Sequence, residues 1–324
     1  MAVSGFLAFV AALCAVRVIL TWFARLALDE PNARSMHARP VPRTGGVAVL
    51  GGAAVSLTAG AASLWPLFVC AAVLAALSFV DDLRGVPPAA RLVVHVAMAA
   101  VAIWLVRPSA GVFALGLLVV ATVWVTNLYN FMDGSDGLAG GMSVIGFSAY
   151  AVAAFAAGHE PLASLGAALA AASAAFLLYN FHPARIFLGD VGAIPLGFLA
   201  AVLGVAGWEA GVWPLWFPLL VFGTFSADAT ITLIRRVGRR QRPWQAHRDH
   251  YYQRMARMGL GHRGTALVGY ALMLVCASAA LFARAEPPHV QAAAFGIATA
   301  VLAATALWVD LRWTRHQAGG QARS

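Results

Sequence analysis

Runs of about 20 apolar residues follow one another along the whole chain, broken only by short polar segments. Coiled into an α-helix at 1.5 Å per residue, such a run crosses the hydrocarbon of a bilayer with its backbone N–H and C=O groups bonded internally. A transmembrane barrel also satisfies its backbone, but its strands alternate apolar and polar residues. The runs here are continuous stretches rich in Ala, Leu and Val, so helices are expected. Charged residues make up only 11% of the 324, too few to clothe a soluble protein of this size. The expected fold is all-α: a polytopic helical membrane protein of about eleven transmembrane helices, with single spans at 45–64 and 212–234 among them. The first run lacks a basic segment before it and carries Arg17 inside, so it is read as a retained helix rather than a cleaved leader. No internal repeat is visible, and residues 1–324 read as one membrane-embedded domain. It carries an Arg/His-rich loop at 235–263 and a tail at 311–324, expected to be disordered after Trp313.

Charge placement orients the chain. All 22 basic residues are arginine, and with the N-terminus facing outward nineteen of them fall in inward-facing loops or the C-terminal tail. Arg107 and Arg284 lie outside. This positive-inside bias places the C-terminus in the cytoplasm. The net charge of +9 is therefore a topology signal; membrane lipids, not nucleic acid, are the expected partners. The same alternation collects Asp81, Asp82, Asn127, Asn130, Asp133, Asp136, His182, Asp190, Asp228, His247, Asp249 and His250 on the cytoplasmic side. Any chemistry is expected on that face. Cys14, Cys70 and Cys276 fall in separate apolar runs and read as packed core residues, neither disulfides nor metal ligands.

Carboxylates at a membrane boundary resist desolvation unless they are paired or bind a cation, so clusters of them point to function. Three occur: "SFVDDLRG" with Asp81 and Asp82, "NLYNFMDGSDGLAGG" with Asp133 and Asp136, and "NFHPARIFLGDVGA" with Asp190. Asn127, Asn130 and Asp133 recur every third residue, which aligns them on one helical face, and Asp136 follows if the helix continues. Gly134 and Gly137 would let backbone approach a ligand closely. A helix end needs one capping residue, so capping does not account for four aligned carboxamides and carboxylates. Convergent oxygens suit a hard cation such as Mg²⁺, with Mn²⁺ as its substitute, usually completed by substrate phosphates. Asp190 between glycines at the start of an apolar run suits a phosphate at a helix N-terminus.

Two loops add cations. "DEPNARSMHARPVPRTGG" offers Arg39 and Arg43 before the Gly45–Gly46 pair, either as anion ligands or as topogenic charge. "RRVGRRQRPWQAHRDHYYQRM" adds His247, Arg248 and His250, and topogenesis requires no histidine, so phosphate binding is the sharper account. Asp228 is either a site residue or an ion-pair partner for Arg235 or Arg236. His95 reads as a packed or pore-facing residue rather than a ligand.

In this order these segments resemble the polyprenyl-phosphate N-acetylhexosamine-1-phosphate transferase family of bacterial inner membranes, which includes the phospho-MurNAc-pentapeptide translocase. "PNARSMHARPVPRTGG" is most similar to the branch that initiates O-antigen and other surface polysaccharides. The resemblance implies a UDP-N-acetylamino sugar and undecaprenyl phosphate as substrates, UMP and a polyprenyl-diphosphate-sugar as products, and a periplasmic N-terminus. It implies that Asp190 and Asn130 meet Mg²⁺, that Asp133, Asp136 and Asn127 line the nucleotide pocket, and that His247, Arg248 and His250 hold phosphate or sugar. Asp81 would be a base or position the metal. Three departures stand out: Arg84 and Gly85 after the acidic pair, Ala193 where a serine is usual, and Asp249 inside the histidine motif. An ion-coupled transporter is the rival reading, but it requires acids near mid-span and polar groups on both faces. A CDP-alcohol phosphotransferase needs an arginine and downstream acids that "DGLAGG" lacks. The sequence leaves monomer and homodimer open.

Overall fold

The computed structural model describes residues 1–25, 27–29, 40–58, 60–242, 245 and 247–321, the last three by backbone alone. In chain order the helices are α1 (Ala2–Trp22), α2 (Gly45–Ala54), α3 (Trp65–Arg84), α4 (Pro88–Val106), α5 (Val112–Phe131), α6 (Leu138–Ala156) and α7 (Glu160–Asn180). They continue as α8 (Asp190–Glu209), α9 (Trp216–Val221), α10 (Gly223–Gly238), α11 (Tyr251–Met255), α12 (Gly261–Ala283) and α13 (Pro288–Gln321). Among the described residues nine candidate spans are long and apolar enough to cross a membrane, so the chain is a helical membrane protein. A two-residue strand, β1 (Leu28–Asp29), pairs antiparallel with β2 (Val41–Pro42).

Two runs expected as single spans are broken. In 45–64, α2 stops after ten residues and passes into a 3-10 turn, Val55–Thr58. Ser56 Oγ donates to the Ala53 carbonyl at 2.7 Å and Thr58 Oγ1 to that of Val55 at 2.8 Å, competing with the helical ladder. In 212–234 the break falls at Phe222 (φ −96°, ψ 16°), whose ring packs edge-on against Phe147 at 5.6 Å and Tyr150 at 5.4 Å. Both breaks leave the run apolar, so hydropathy alone does not register them.

The Arg/His-rich segment is also more ordered than a loop over 235–263. Helix α10 runs to Gly238, α11 starts at Tyr251, and a π-helical turn (Ala256–Leu260) leads into α12. The tail expected to be disordered continues α13 to Gln321, with Arg257 over the Trp313 ring at 4.8 Å. Cys70 and Cys276 are buried and free, whereas Cys14 is exposed on α1. His95 is packed inside α4's contacts, 5% exposed.

Burial orders the bundle. In α8 83% of the most apolar window is buried, against 11% in α13, so α6, α7 and α8 form the centre and α13 the rim. Without a hydrophobic force between helices in lipid, close packing relies on small residues. Gly46 of α2 and Gly192 of α8 face each other so closely that a Cβ on either would overlap the other's backbone. This contact brings the start of α2 to the start of α8, where Asp190 lies.

Candidate active site

The approach of α2 to α8 is secured by backbone bonds. Phe187 N–H donates to Pro42 O at 2.7 Å, Gly45 N–H to Phe187 O at 2.9 Å and Gly46 N–H to Leu188 O at 2.9 Å. Gly189 takes φ +70° with the Arg43 carbonyl pressed where its Cβ would stand. Arg43 thereby reaches Asp82 near the end of α3, with Nη2 3.3 Å from Oδ1. The other oxygen, Asp82 Oδ2, is buried without a hydrogen bond.

Asp81 holds the adjoining turn. Its Oδ1 accepts Val86 N–H at 2.7 Å, and its Oδ2 is paired with Arg91 from the first turn of α4. With both oxygens engaged, Asp81 anchors Arg91. Arg91 Nη1 also lies 3.8 Å from Asp190 Oδ2, so one guanidinium spans two acids. Asp190 begins α8 with the Asn130 side chain beside it, while the Gly189 backbone N–H is directed at Asp133. Desolvation, reinforced by the charge of Asp190 and opposed by the Gly189 N–H, holds the Asp133 carboxyl well above the ordinary aspartate range. Asp82, Asp133, Asp190 and Asn130 therefore meet at one end of the bundle with Arg43 and Arg91. Arg39 lies outside the described residues.

The asparagine–aspartate segment divides. Helix α5 ends at Phe131, so Asp133 turns to the acidic centre and Asp136 away from it. Asn127 turns its amide back to the Val123 carbonyl at 2.7 Å. Asp136 Oδ2 accepts from His182 Nδ1 at 2.7 Å and from Ala184 N–H at 3.1 Å. Its own N–H donates to His262 Nδ1 at 3.3 Å, and the His182 and His262 rings lie parallel, 5.6 Å apart. Gly137 (φ +75°) opens α6, its N–H donating to Asn180 Oδ1 at 3.1 Å. Arg91 reads from the sequence only as one of the counted topogenic arginines, and His262 carries no sequence signal of its own; His182 falls with the other polar residues on the cytoplasmic side.

On the other flank, Asp228 resolves its two alternatives in favour of neither arginine. Its oxygens accept Tyr251 N–H at 2.9 Å and Tyr252 N–H at 3.0 Å, capping α11. Arg235 pairs with Asp310 at 2.7 Å and Arg236 with Asp249. His250 is 3% exposed, its ring 4.9 Å from that of His247 and stacked 6.3 Å from that of Phe131. Burial, with the charges of His250 and Arg236, pulls His247 down to about 4, so it is neutral at pH 7, and its Nδ1 accepts the Asp249 N–H at 3.4 Å. Arg248 carries the fixed positive charge beside it.

Among the described residues no three His, Cys, Asp or Glu side chains converge closely enough to enclose a metal by themselves. Mg²⁺ takes one or two carboxylates and completes its octahedron with water and phosphate. The buried, unbonded Asp82 Oδ2 beside Asp190 and Asn130 fits that partial donor set.

Acids banked by arginines at one end of a helical membrane bundle are an arrangement that suits the binding of phosphate. Residues 64–207, which contain all three acidic clusters, match the model for glycosyl transferase family 4. It is 29% identical to the probable undecaprenyl-phosphate N-acetylglucosaminyl 1-phosphate transferase of Bacillus subtilis, over 94% of this chain and 86% of the relative. It is 28% identical to the decaprenyl-phosphate N-acetylglucosaminephosphotransferase of Mycolicibacterium smegmatis, over 88% and 82%. A shorter segment, 28% of this chain and 27% of the relative, is 54% identical to the phospho-N-acetylmuramoyl-pentapeptide-transferase of Symbiobacterium thermophilum.

Proposed function

We propose that this protein transfers an N-acetylamino-sugar 1-phosphate from a UDP-sugar to undecaprenyl phosphate, releasing UMP. The reaction takes place on the cytoplasmic face of a bacterial inner membrane and begins an O-antigen-like or other surface polysaccharide, such as that of lipopolysaccharide. The observation that carries this reading is the convergence of Asp82, Asp190, Asn130 and Asp133 with Arg43 and Arg91 at one end of the bundle. An oily acceptor keeps its tail in lipid there while a charged nucleotide arrives from water. An ion-coupled transporter would set its acids near mid-span, and that reading is not favoured.

In the reaction an oxygen of the lipid phosphate bonds to the sugar-proximal phosphorus, and the bond from that phosphorus to the bridging oxygen breaks. UMP leaves with the electron pair. The acceptor phosphate, with a second pKa near 6, is already mostly dianionic at pH 7, so a strong base is unnecessary. Positioning and charge neutralisation do the work. Arg43 and Arg91 stand where they can hold phosphate oxygens, and Asp81 keeps Arg91 in place. Asp190, Asn130 and the open oxygen of Asp82 would hold Mg²⁺ or Mn²⁺. When bound, that cation neutralises charge developing on the leaving phosphate. Asp133 orders the Gly189 backbone beside Asp190.

The test is purified protein in detergent with undecaprenyl phosphate and a panel of UDP-sugars, reading UMP. UDP-N-acetylglucosamine leads the panel because of the names its relatives carry. No UMP from any amino-sugar donor sinks the reading. Chelation with EDTA is expected to stop release, and millimolar Mg²⁺ or Mn²⁺ to restore it. Release that survives chelation rules out the cation.

A further inference from the structure

Tyr252 joins the Asp228-capped helix to the turn that carries Asp133. Its ring is 3% exposed, and its Oη donates to the Phe131 carbonyl at 3.2 Å, the last residue of α5. The same hydroxyl lies against Gly134, where a Cβ would overlap it and would stand 3.2 Å from Cζ. Tyr252 is also close enough to Asp133 to interact with it electrostatically. Its backbone is fixed from the other side, since Asp228 Oδ2 accepts Tyr252 N–H at 3.0 Å and Oδ1 accepts Tyr251 N–H at 2.9 Å. Thr232 Oγ1 donates to that same Oδ1 at 3.2 Å, which steadies the carboxylate.

A helix end leaves its last carbonyls without partners inside the helix. At Phe131 one of those carbonyls is bonded by a side chain from α11, more than a hundred residues away in the chain. The turn that follows departs from the helix at the residue before Asp133, and only glycine at 134 leaves room for the hydroxyl that holds it. From this geometry we infer that Tyr252 is a positioning residue for the transferase centre. Its hydroxyl fixes the Phe131–Gly134 turn, and with it the direction of Asp133 and Asn130, while Asp228 holds Tyr252 in register. The inference rests on the transferase reading and adds to it a residue from the far flank of the site.

A double-mutant cycle on the full-length protein tests it, with UMP release, KM for donor and acceptor, and elution profile measured for all four proteins. Gly134→Ala is expected to lower kcat by about 10-fold or more, because its methyl group and the tyrosine hydroxyl compete for one space. Tyr252→Phe, which removes one hydrogen bond, is expected to lower kcat a few-fold at unchanged KM. The double variant Gly134→Ala/Tyr252→Phe is expected to be several-fold faster than Gly134→Ala alone, because the overlap with the hydroxyl is relieved and only the tight 3.2 Å contact with Cζ remains. Such rescue is non-additive, as contact between the two sites requires. If Gly134→Ala alone fails to fold, recovery of monodisperse protein in the double variant is the same rescue. A double variant as slow as the product of its two parents, or as poorly folded as Gly134→Ala, overturns the role of Tyr252. A wild type that turns over beside such an additive cycle overturns this inference alone, whereas a wild type that releases no UMP overturns the transferase reading beneath it.

Discussion

Asp190→Asn is expected to slow UMP release by about 10³-fold or more, about 4 kcal/mol in barrier height, with insertion and elution profile unchanged. The substitution keeps side-chain size at the first position of α8 and removes only charge. That charge lies 3.8 Å from Arg91 and beside Asp82 and Asn130. Losing it leaves one carboxylate fewer for the proposed divalent cation and one fewer beside the arginine proposed to hold phosphate. Asp133→Asn is expected to act in the same direction. A rate within a few-fold of wild type in both variants would remove the acidic centre from the mechanism.

Gly192→Val is expected to destabilise the protein by about 1–3 kcal/mol, seen as a lowered midpoint of thermal unfolding in detergent, and to depress turnover along with it. A side chain at 192 meets the backbone of Gly46 and the Leu188 side chain, and backbone cannot swing aside as a flexible side chain does. Helix α2 would be pushed from α8, straining the bonds from Gly45 N–H to Phe187 O and from Gly46 N–H to Leu188 O. Arg43 precedes α2, so its approach to Asp82 would open with them. Wild-type unfolding and turnover in this variant would mean that the contact does not set the spacing of the site.

The residues of the site were legible as a set before they were legible as a geometry. Asp82, Asn130, Asp133 and Asp190 stand out because a carboxylate or carboxamide at the end of an apolar run is costly in lipid and so conspicuous. Spacing of three extended the α5 face through Asp136, but the helix stops at Phe131 and sends Asp136 to His182 and Ala184 instead. Asp81 and Asp82, adjacent and chemically identical, separate only in three dimensions: one is occupied by Arg91 and the Val86 N–H, the other keeps an oxygen open. Arg91 reads as topogenic charge like its neighbours until α4 is seen to bring it between two acids.

The sequence by itself determined the helical membrane class, because the thickness of a bilayer and the cost of an unbonded peptide group act on each run separately and leave their mark in local hydropathy. It also determined that the acids would share a side, because helices that cross in alternation carry their ends to alternate faces. Only the tertiary structure decided where the runs at 45–64 and 212–234 break, which carboxylate faces the centre, and that Tyr252 reaches Phe131. Those outcomes depend on contacts between residues far apart in the chain, such as Phe222 against Tyr150 or Gly46 against Gly192, and no periodicity within one segment records what another will press against it.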